Sequence, residues 1–314
     1  MERKDIKIVF MGTPEFAKAS LECLYNSGYN IVGVFTNPDT LSGRGMKIKF
    51  SPVKEYATEK NIPIFQPQKI RKNEEILNTL KKLNPDIIAV TAYGKILPKE
   101  ILELPKFGCI NVHGSLLPKY RGAAPIHHAI INGESETGIT TMYMDVGMDT
   151  GDMLLKEKVE ITDEDNLETM TNKLMNVGGK LLVKTLDKII NGDITRIVQE
   201  EKFSIAPMIE KEMTRIDFNK SSREVFNFVR GLSPYIGTYI DNQEGKRYKV
   251  LEVKVAENIE GKVGEVVFLS KNKMVIKCRE GCIEIIKIQP PNSKVMDIQS
   301  FLNGNKIKLG EILK

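Results

Sequence analysis

Along the first 190 residues, short runs of β-branched and aromatic residues alternate with stretches whose apolar positions recur every three to four residues. The runs at 6–10, 31–35, 62–65, 86–91 and 109–113 predict strands, since they are brief and are bounded by Gly, Pro or polar clusters. The periodic stretches at 14–26, 51–60 and 74–83 predict helices. Gly28 follows the first, and Ser51-Pro52 opens the second with a hydroxyl cap and a proline whose fixed φ suits a first helical turn. Further strands at 139–145 and 152–161 and one long helix at 167–190 complete the pattern. Strands rich in Ile and Val, separated by helices, indicate a parallel sheet covered on both faces. The expected architecture is α/β: a Rossmann-like open, mostly parallel sheet with helices on both faces.

The rhythm then changes. Residues 194–220 are irregular, 221–231 reads as one more short helix, and everything after Pro234 is strand-like. Runs at 248–255, 264–269, 273–277 and 283–288 are divided by turn-like clusters, the spacing of a small C-terminal β-barrel, OB-like in size. A chain of 314 residues is also too long for one typical domain. The expected organisation is a catalytic domain at 1–192, a linker at 193–209 and the barrel at 210–314.

Composition narrows the class. With 41% hydrophobic and 28% charged residues and no low-complexity tract, the chain can bury a sizeable core. The apolar run at 6–11 is ended by Gly12-Thr13-Pro14, shorter than the roughly 7–15 apolar residues of a secretory signal. No stretch approaches the roughly 20 of a membrane span, so the cytoplasm is the expected location and no membrane partner is expected. Four cysteines in a chain this long do not make a disulfide framework. Cys278 and Cys282 have metal-like spacing but no second Cys/His pair nearby, and all three histidines lie between 113 and 128, so no metal is expected. Residues 1–206 balance 27 basic against 27 acidic side chains; residues 207–314 carry 19 against 14, which places the whole excess of +5 in the C-terminal third. That is the sign and the place for an auxiliary nucleic-acid contact.

The chemistry concentrates between 108 and 152. Gly12 follows the first strand, but no glycine comes after it until Gly28, so the G-x-G-x-x-G backbone that approaches a pyrophosphate is absent and a nicotinamide enzyme is disfavoured. Asn111 and His113 sit two apart near the end of a strand, hence on one face of it, at the carboxyl edge where open α/β sheets hold their ligands. An amide beside an imidazole suits acyl transfer: the NH₂ can stabilise an oxyanion and the ring can donate to it or shuttle a proton. Asp145, Asp149 and Asp152, interleaved with Gly147 and Gly151, form a tight acidic loop able to carry a carboxylate into a pocket. His127 and His128, adjacent on a predicted helix, read as structural.

These segments together carry a resemblance. Asn111-Val112-His113-Gly114-Ser115-Leu116-Leu117-Pro118, then Tyr120-Arg121-Gly122-Ala123-Ala124-Pro125, then the 145–152 loop resemble the formyltransferase family that uses 10-formyltetrahydrofolate. The similarity begins at Phe10-Met11-Gly12-Thr13-Pro14-Glu15-Phe16 and continues through Gly43-Arg44-Gly45, Ser51-Pro52-Val53-Lys54 and Ala92-Tyr93-Gly94-Lys95-Ile96-Leu97-Pro98. The early loop and the added barrel resemble the branch of the family that acts on initiator methionyl-tRNA. The resemblance implies that 10-formyltetrahydrofolate is the formyl donor, that initiator methionyl-tRNA is the acceptor partner, and that the chain works as a monomer. It also implies roles: Asn111 and His113 polarise the formyl oxygen, Asp149 orients His113 and relays the amine proton, and Ser115, Leu116, Leu117, Pro118, Ile96 and Leu97 line the folate pocket. Arg44, Lys47 and Lys49 lie in a long connection, 37–54, whose one acid is Asp39, and are expected to meet tRNA phosphates. Ser233-Pro234-Tyr235-Ile236-Gly237 departs from the Asn-Pro-Trp-Pro-like stretch of the family. Sugar-amine formyltransferases and formyltetrahydrofolate hydrolases share the Asn/His/Asp site; a non-catalytic RNA-binding protein would call for exposed aromatic clusters that the sequence lacks.

Overall fold

The computed structural model describes residues 2–42, 47–304 and 307–314. From the N-terminus run β1 (Lys7–Gly12), α1 (Glu15–Asn26), β2 (Asn30–Phe35), the hairpin β3 (Thr40–Ser42) and β4 (Lys47–Lys49), α2 (Pro52–Glu59), β5 (Ile64–Phe65), α3 (Glu74–Leu83), β6 (Ile87–Thr91) and α4 (Lys99–Leu102). Next come β7 (Cys109–His113), α5 (Pro125–Ile131), β8 (Glu136–Tyr143), β9 (Met153–Glu160), α6 (Leu167–Ile190) and α7 (Ser222–Leu232). The remainder is β10 (Thr238–Asp241), β11 (Arg247–Ala256), β12 (Val266–Leu269), β13 (Met274–Lys277), β14 (Cys282–Gln289), β15 (Met296–Asp297) and α8 (Ile298–Gly304). Contacts group the chain into two units. One comprises Met1–Ala123, Thr137–Glu160 and Thr171–Ala206, the other Ala124–Glu136, Ile161–Met170 and Pro207–Lys314.

The first unit is built on a seven-stranded sheet of order β5-β2-β1-β6-β7-β8-β9. Its first five strands pair in parallel, and β8 runs antiparallel to β7. Every residue of β6 is buried, the signature of a strand covered on both faces. Capping follows the sequence. Ser51 Oγ accepts the Lys54 N–H at 3.1 Å with Pro52 at the first turn of α2, and Asn73 Oδ1 accepts the Ile76 N–H at the start of α3. The Phe35 and Phe65 rings stack with centroids 4.8 Å apart, joining β2 to the two-residue edge strand β5. One finding departs from expectation: the 37–54 connection is partly paired, since Thr40–Ser42 forms a ladder with Lys47–Lys49.

In the second unit α5 packs on α7. A capping box starts α7, with Ser221 Oγ accepting the Glu224 N–H and Glu224 Oε2 accepting the Ser221 N–H at 2.9 Å. The buried Arg230 guanidinium donates to Asn227 Oδ1 and to the carbonyls of Thr162 and Asp165, so its charge is not left without partners. The strands form one antiparallel sheet of order β10-β11-β14-β13-β12, with β15 beside β14. Residues 311–314 bridge its two outer strands. The Val266 N–H bonds Glu311 O and the Leu313 N–H bonds Gly264 O on one side, while Asp241 and Lys314 exchange backbone bonds of 2.6 and 2.8 Å on the other. These bonds tie both outer strands to one segment, and the sheet covers a core that includes Val225, Val229, Tyr248, Val250, Ile285 and Phe301. Sequence patterning expects only strands beyond Pro234. Helix α8 is the exception, begun by Asp297, whose Oδ1 accepts the Ser300 N–H at 2.8 Å.

Burial pushes the His127 imidazole on α5 down to about 4, with His128 beside it adding repulsion. An unfolded imidazole titrates near 6.5, so between that pH and about 4 the unfolded chain binds the extra proton. The stabilisation from a neutral His127 is therefore complete above about pH 6.5 and is lost as pH falls through this window. Because the ring is half-buried, the stability lost by pH 5 is about 1–2 kcal/mol. Thermal unfolding of the parent and of His127→Gln should diverge between pH 7 and pH 5, the parent losing more; parallel curves would contradict this.

Candidate active site

Strand β7 lies between β6 and β8, and its carboxyl end delivers Asn111, half-buried, and His113, 6% exposed. The ring of His113 is held on both sides. Its Nε2 lies 2.9 Å from the carbonyl oxygen of Tyr120, and its Nδ1 lies 3.6 Å from Asp149 Oδ2. A carbonyl can only accept, so Nε2 carries a hydrogen and donates it. In the neutral ring Nδ1 is then the basic nitrogen, turned toward a carboxylate. A proton arriving there makes a cation that faces an anion. Among the described residues the side-chain amide of Asn111 has no hydrogen-bond partner, so its NH₂ remains available as a donor.

Asp149 reaches His113 from a loop that is otherwise exposed at 145–148. Its carboxylate is 15% exposed and accepts the Gly122 N–H at 2.8 Å. Of the three acids in the loop, Asp145 turns its Oδ1 onto the Val146 N–H, and Asp152 offers its backbone carbonyl to Tyr143. Asp149 has φ 53, a left-handed conformation that a non-glycine residue adopts at a cost of about 1–3 kcal/mol and keeps only where its surroundings demand it. Two residues on, Gly151 packs so closely that a Cβ there would stand 1.9 Å from the Tyr143 carbonyl oxygen. Gly122 is equally constrained, with φ 122 and no room for a Cβ beside the Ala206 carbonyl at 2.6 Å.

The segment after His113 is fixed by polar side chains from β8 and β9. Thr140 Oγ1 donates to Ser115 O at 2.7 Å and accepts the Leu117 N–H, while Lys156 Nζ donates to Leu117 O. Burial lowers the Lys156 ammonium below the ordinary lysine range. Ser115 is fully buried and donates to Lys119 O at 2.6 Å; Leu117 packs between Met142 and Met153. Leu116 and Pro118 are half-buried. On the loop after β6, Leu97 enters the core with Tyr93 and Ile101, whereas Ile96 is exposed. At the end of β4, Lys49 is exposed; Arg44 and the side chain of Lys47 lie outside the described residues. Lys54 pairs with Asp39 at 2.5 Å and lies over the Phe50 ring. The structure also brings in residues that sequence patterning did not single out: Gln199, whose side chain bonds the Asp149 and Gly151 carbonyls, and Ser204, whose Oγ accepts the Tyr120 N–H. Both lie in an irregular stretch with no periodic signal.

Residues 6–186 match the model of the formyl transferase family, and residues 208–306 match that of the formyl transferase C-terminal domain. The chain belongs to the formyl transferase family. Among formyl transferases, it is 49% identical to the methionyl-tRNA formyltransferase of Caldanaerobacter subterraneus subsp. tengcongensis, over 98% of this chain and 100% of that one. Two solved structures share its fold. The N-formyltransferase of Helicobacter canadensis, in complex with folinic acid and dTDP-3-aminofucose, aligns with a TM-score of 0.63 at 21% identity over 89% of this chain and 98% of that one. HypX of Aquifex aeolicus in complex with tetrahydrofolic acid aligns at 0.64 and 16% identity over 95% of this chain, which spans a little under half, 46%, of HypX. At these identities the two structures speak for the fold alone.

Proposed function

We propose that this formyl transferase moves the formyl group of 10-formyltetrahydrofolate to the α-amino group of initiator methionyl-tRNA. The observation that carries the chemistry is the pairing of His113 Nδ1 with the Asp149 carboxylate beside the uncommitted amide of Asn111. The acceptor follows from a relative named for methionyl-tRNA that matches along essentially the whole chain, C-terminal unit included.

Bound 10-formyltetrahydrofolate supplies an already activated formyl group. The residues at the strand end fit such a donor, because Asn111 offers an unpaired NH₂ and Leu116, Pro118 and Ile96 offer apolar surface on the adjoining loops. Asn111 donates to the formyl oxygen as negative charge builds there. His113 takes the proton of the attacking amine on Nδ1, holding it against Asp149 while Nε2 stays bonded to Tyr120 O. As the methionyl nitrogen bonds to the formyl carbon, that carbon leaves the folate nitrogen, which receives the proton; no net proton is consumed. Ser115 and Leu117 hold the shape of the folate side from within, and Leu97 does the same below Ile96. Lys49, with Arg44 and Lys47, meets the phosphates near the acceptor end of the tRNA. The chain acts as a monomer in the cytoplasm, where charged initiator tRNA is used; no helix among the described residues is long and apolar enough to cross a membrane.

The test is formyl transfer from 10-formyltetrahydrofolate to charged initiator methionyl-tRNA, with free methionine, an amino-sugar nucleotide and water as control acceptors. Formylation of the charged tRNA alone is expected. Formylation of the amino sugar, or release of formate to water without tRNA product, would overturn the acceptor assignment.

A further inference from the structure

The two bonds that orient His113 and Asp149 come from one short run of chain. Tyr120 supplies the carbonyl that fixes His113 Nε2, and Gly122 supplies the N–H that binds Asp149 Oδ2. Arg121, between them, donates its Nε to Gln199 Oε1 at 2.9 Å. The other end of the same carboxamide donates two bonds of 2.8 Å, to the carbonyl oxygens of Asp149 and Gly151. The orientation of this amide is unambiguous, since both carbonyls can only accept and the guanidinium can only donate. Gln199 thus spans the two loops that carry the reacting groups, and bonds the very peptide whose residue holds a left-handed φ. Ser204 completes the brace: its Oγ accepts the Tyr120 N–H at 2.8 Å, its carbonyl accepts the Arg121 N–H at 2.9 Å, and the Ala206 N–H bonds Arg121 O at 2.7 Å.

We infer that Gln199 is a positioning residue for formyl transfer, setting the Asp149 carboxylate against His113 by clamping the 149–151 turn to the 120–122 run. The inference rests on the Asn111/His113/Asp149 reading of the site. The 3.6 Å between His113 Nδ1 and Asp149 Oδ2 is already longer than a hydrogen bond, so the approach of the two groups depends on where this turn is held. Removing the clamp leaves two carbonyls and a guanidinium without their partner and lets the strained residue relax toward ordinary φ.

The experiment measures kcat and both KM values for formyl transfer in Gln199→Met, Gln199→Glu, Asp149→Asn and the double variant Gln199→Met/Asp149→Asn. Methionine keeps the length and removes all three bonds; glutamate keeps an acceptor for Arg121 and removes the two N–H donors. Both single Gln199 variants are expected to lose about 10- to 100-fold in kcat, as supporting residues commonly do, with each KM within about threefold of the parent. The double variant is expected to be no slower than Asp149→Asn, because a residue acting through the carboxylate has nothing left to place. Full activity of Gln199→Glu beside a slow Gln199→Met would assign the effect to Arg121 and overturn the inference. So would independent losses that multiply in the double variant, or unchanged kcat in both Gln199 variants. If Gln199→Met does not fold, the isosteric Gln199→Glu takes its place in the cycle. An unimpaired Asp149→Asn would instead sink the site reading itself, which keeps the two failures apart.

Discussion

His113→Ala is expected to lower kcat for formyl transfer by about 10²–10⁴-fold, the range by which a positioned proton-transfer group accelerates such steps. The ring is 6% exposed and committed on Nε2 to a backbone carbonyl, which leaves Nδ1 as its proton acceptor. Asn111→Ala removes an amide that has no hydrogen-bond partner among the described residues and is expected to lose about 10²–10³-fold, the loss typical of an oxyanion donor. Neither change should move the KM for 10-formyltetrahydrofolate by much, because both groups act on charge that appears only as the amine attacks. Single-turnover formylation of methionyl-tRNA, with tetrahydrofolate binding measured calorimetrically on the same variants, checks both statements. Rates within about threefold of the parent would remove these residues from the chemistry.

Much of the first unit was legible because its signals are local. Apolar runs become β1, β2, β6 and β7, and the Ser51-Pro52 cap begins α2 where spacing and hydrogen-bonding chemistry place it. What was illegible is short or non-local. The β3–β4 hairpin contains too few positions to show a period of two. The tie that residues 311–314 make between the outer strands depends on backbone partners at 241 and 264–266, and backbone pairing leaves no trace in side-chain identity. The site divides in the same way. Asn111 and His113 share one strand and the acidic loop is one compact segment, so both can be read directly. Gln199 contacts Asp149 across 50 positions and Arg121 across 78, and a lone glutamine in an irregular stretch carries no period, cap or motif. The resemblance to a family supplied roles for residues in motifs; it was silent on residues that act by bracing them.

Asp149→Asn separates shape from charge at the same site. The amide is nearly isosteric, and its oxygen can still accept the Gly122 N–H that now binds Oδ2 at 2.8 Å, so the left-handed turn and the Gln199 bonds should persist. That same oxygen, now uncharged, is the atom that faces His113 Nδ1. A carboxylate stabilises a proton arriving on that nitrogen; a neutral amide oxygen in its place offers much less, with Nε2–H still on Tyr120 O. The base is thereby weakened without any loss of packing. We expect kcat to fall by about 10²–10⁴-fold, comparable to removing the imidazole, with thermal stability and folate affinity close to those of the parent. A rate within about threefold of the parent would mean that the carboxylate neither orients nor charges the histidine, and proton removal from the methionyl amine would then have to be assigned to another group.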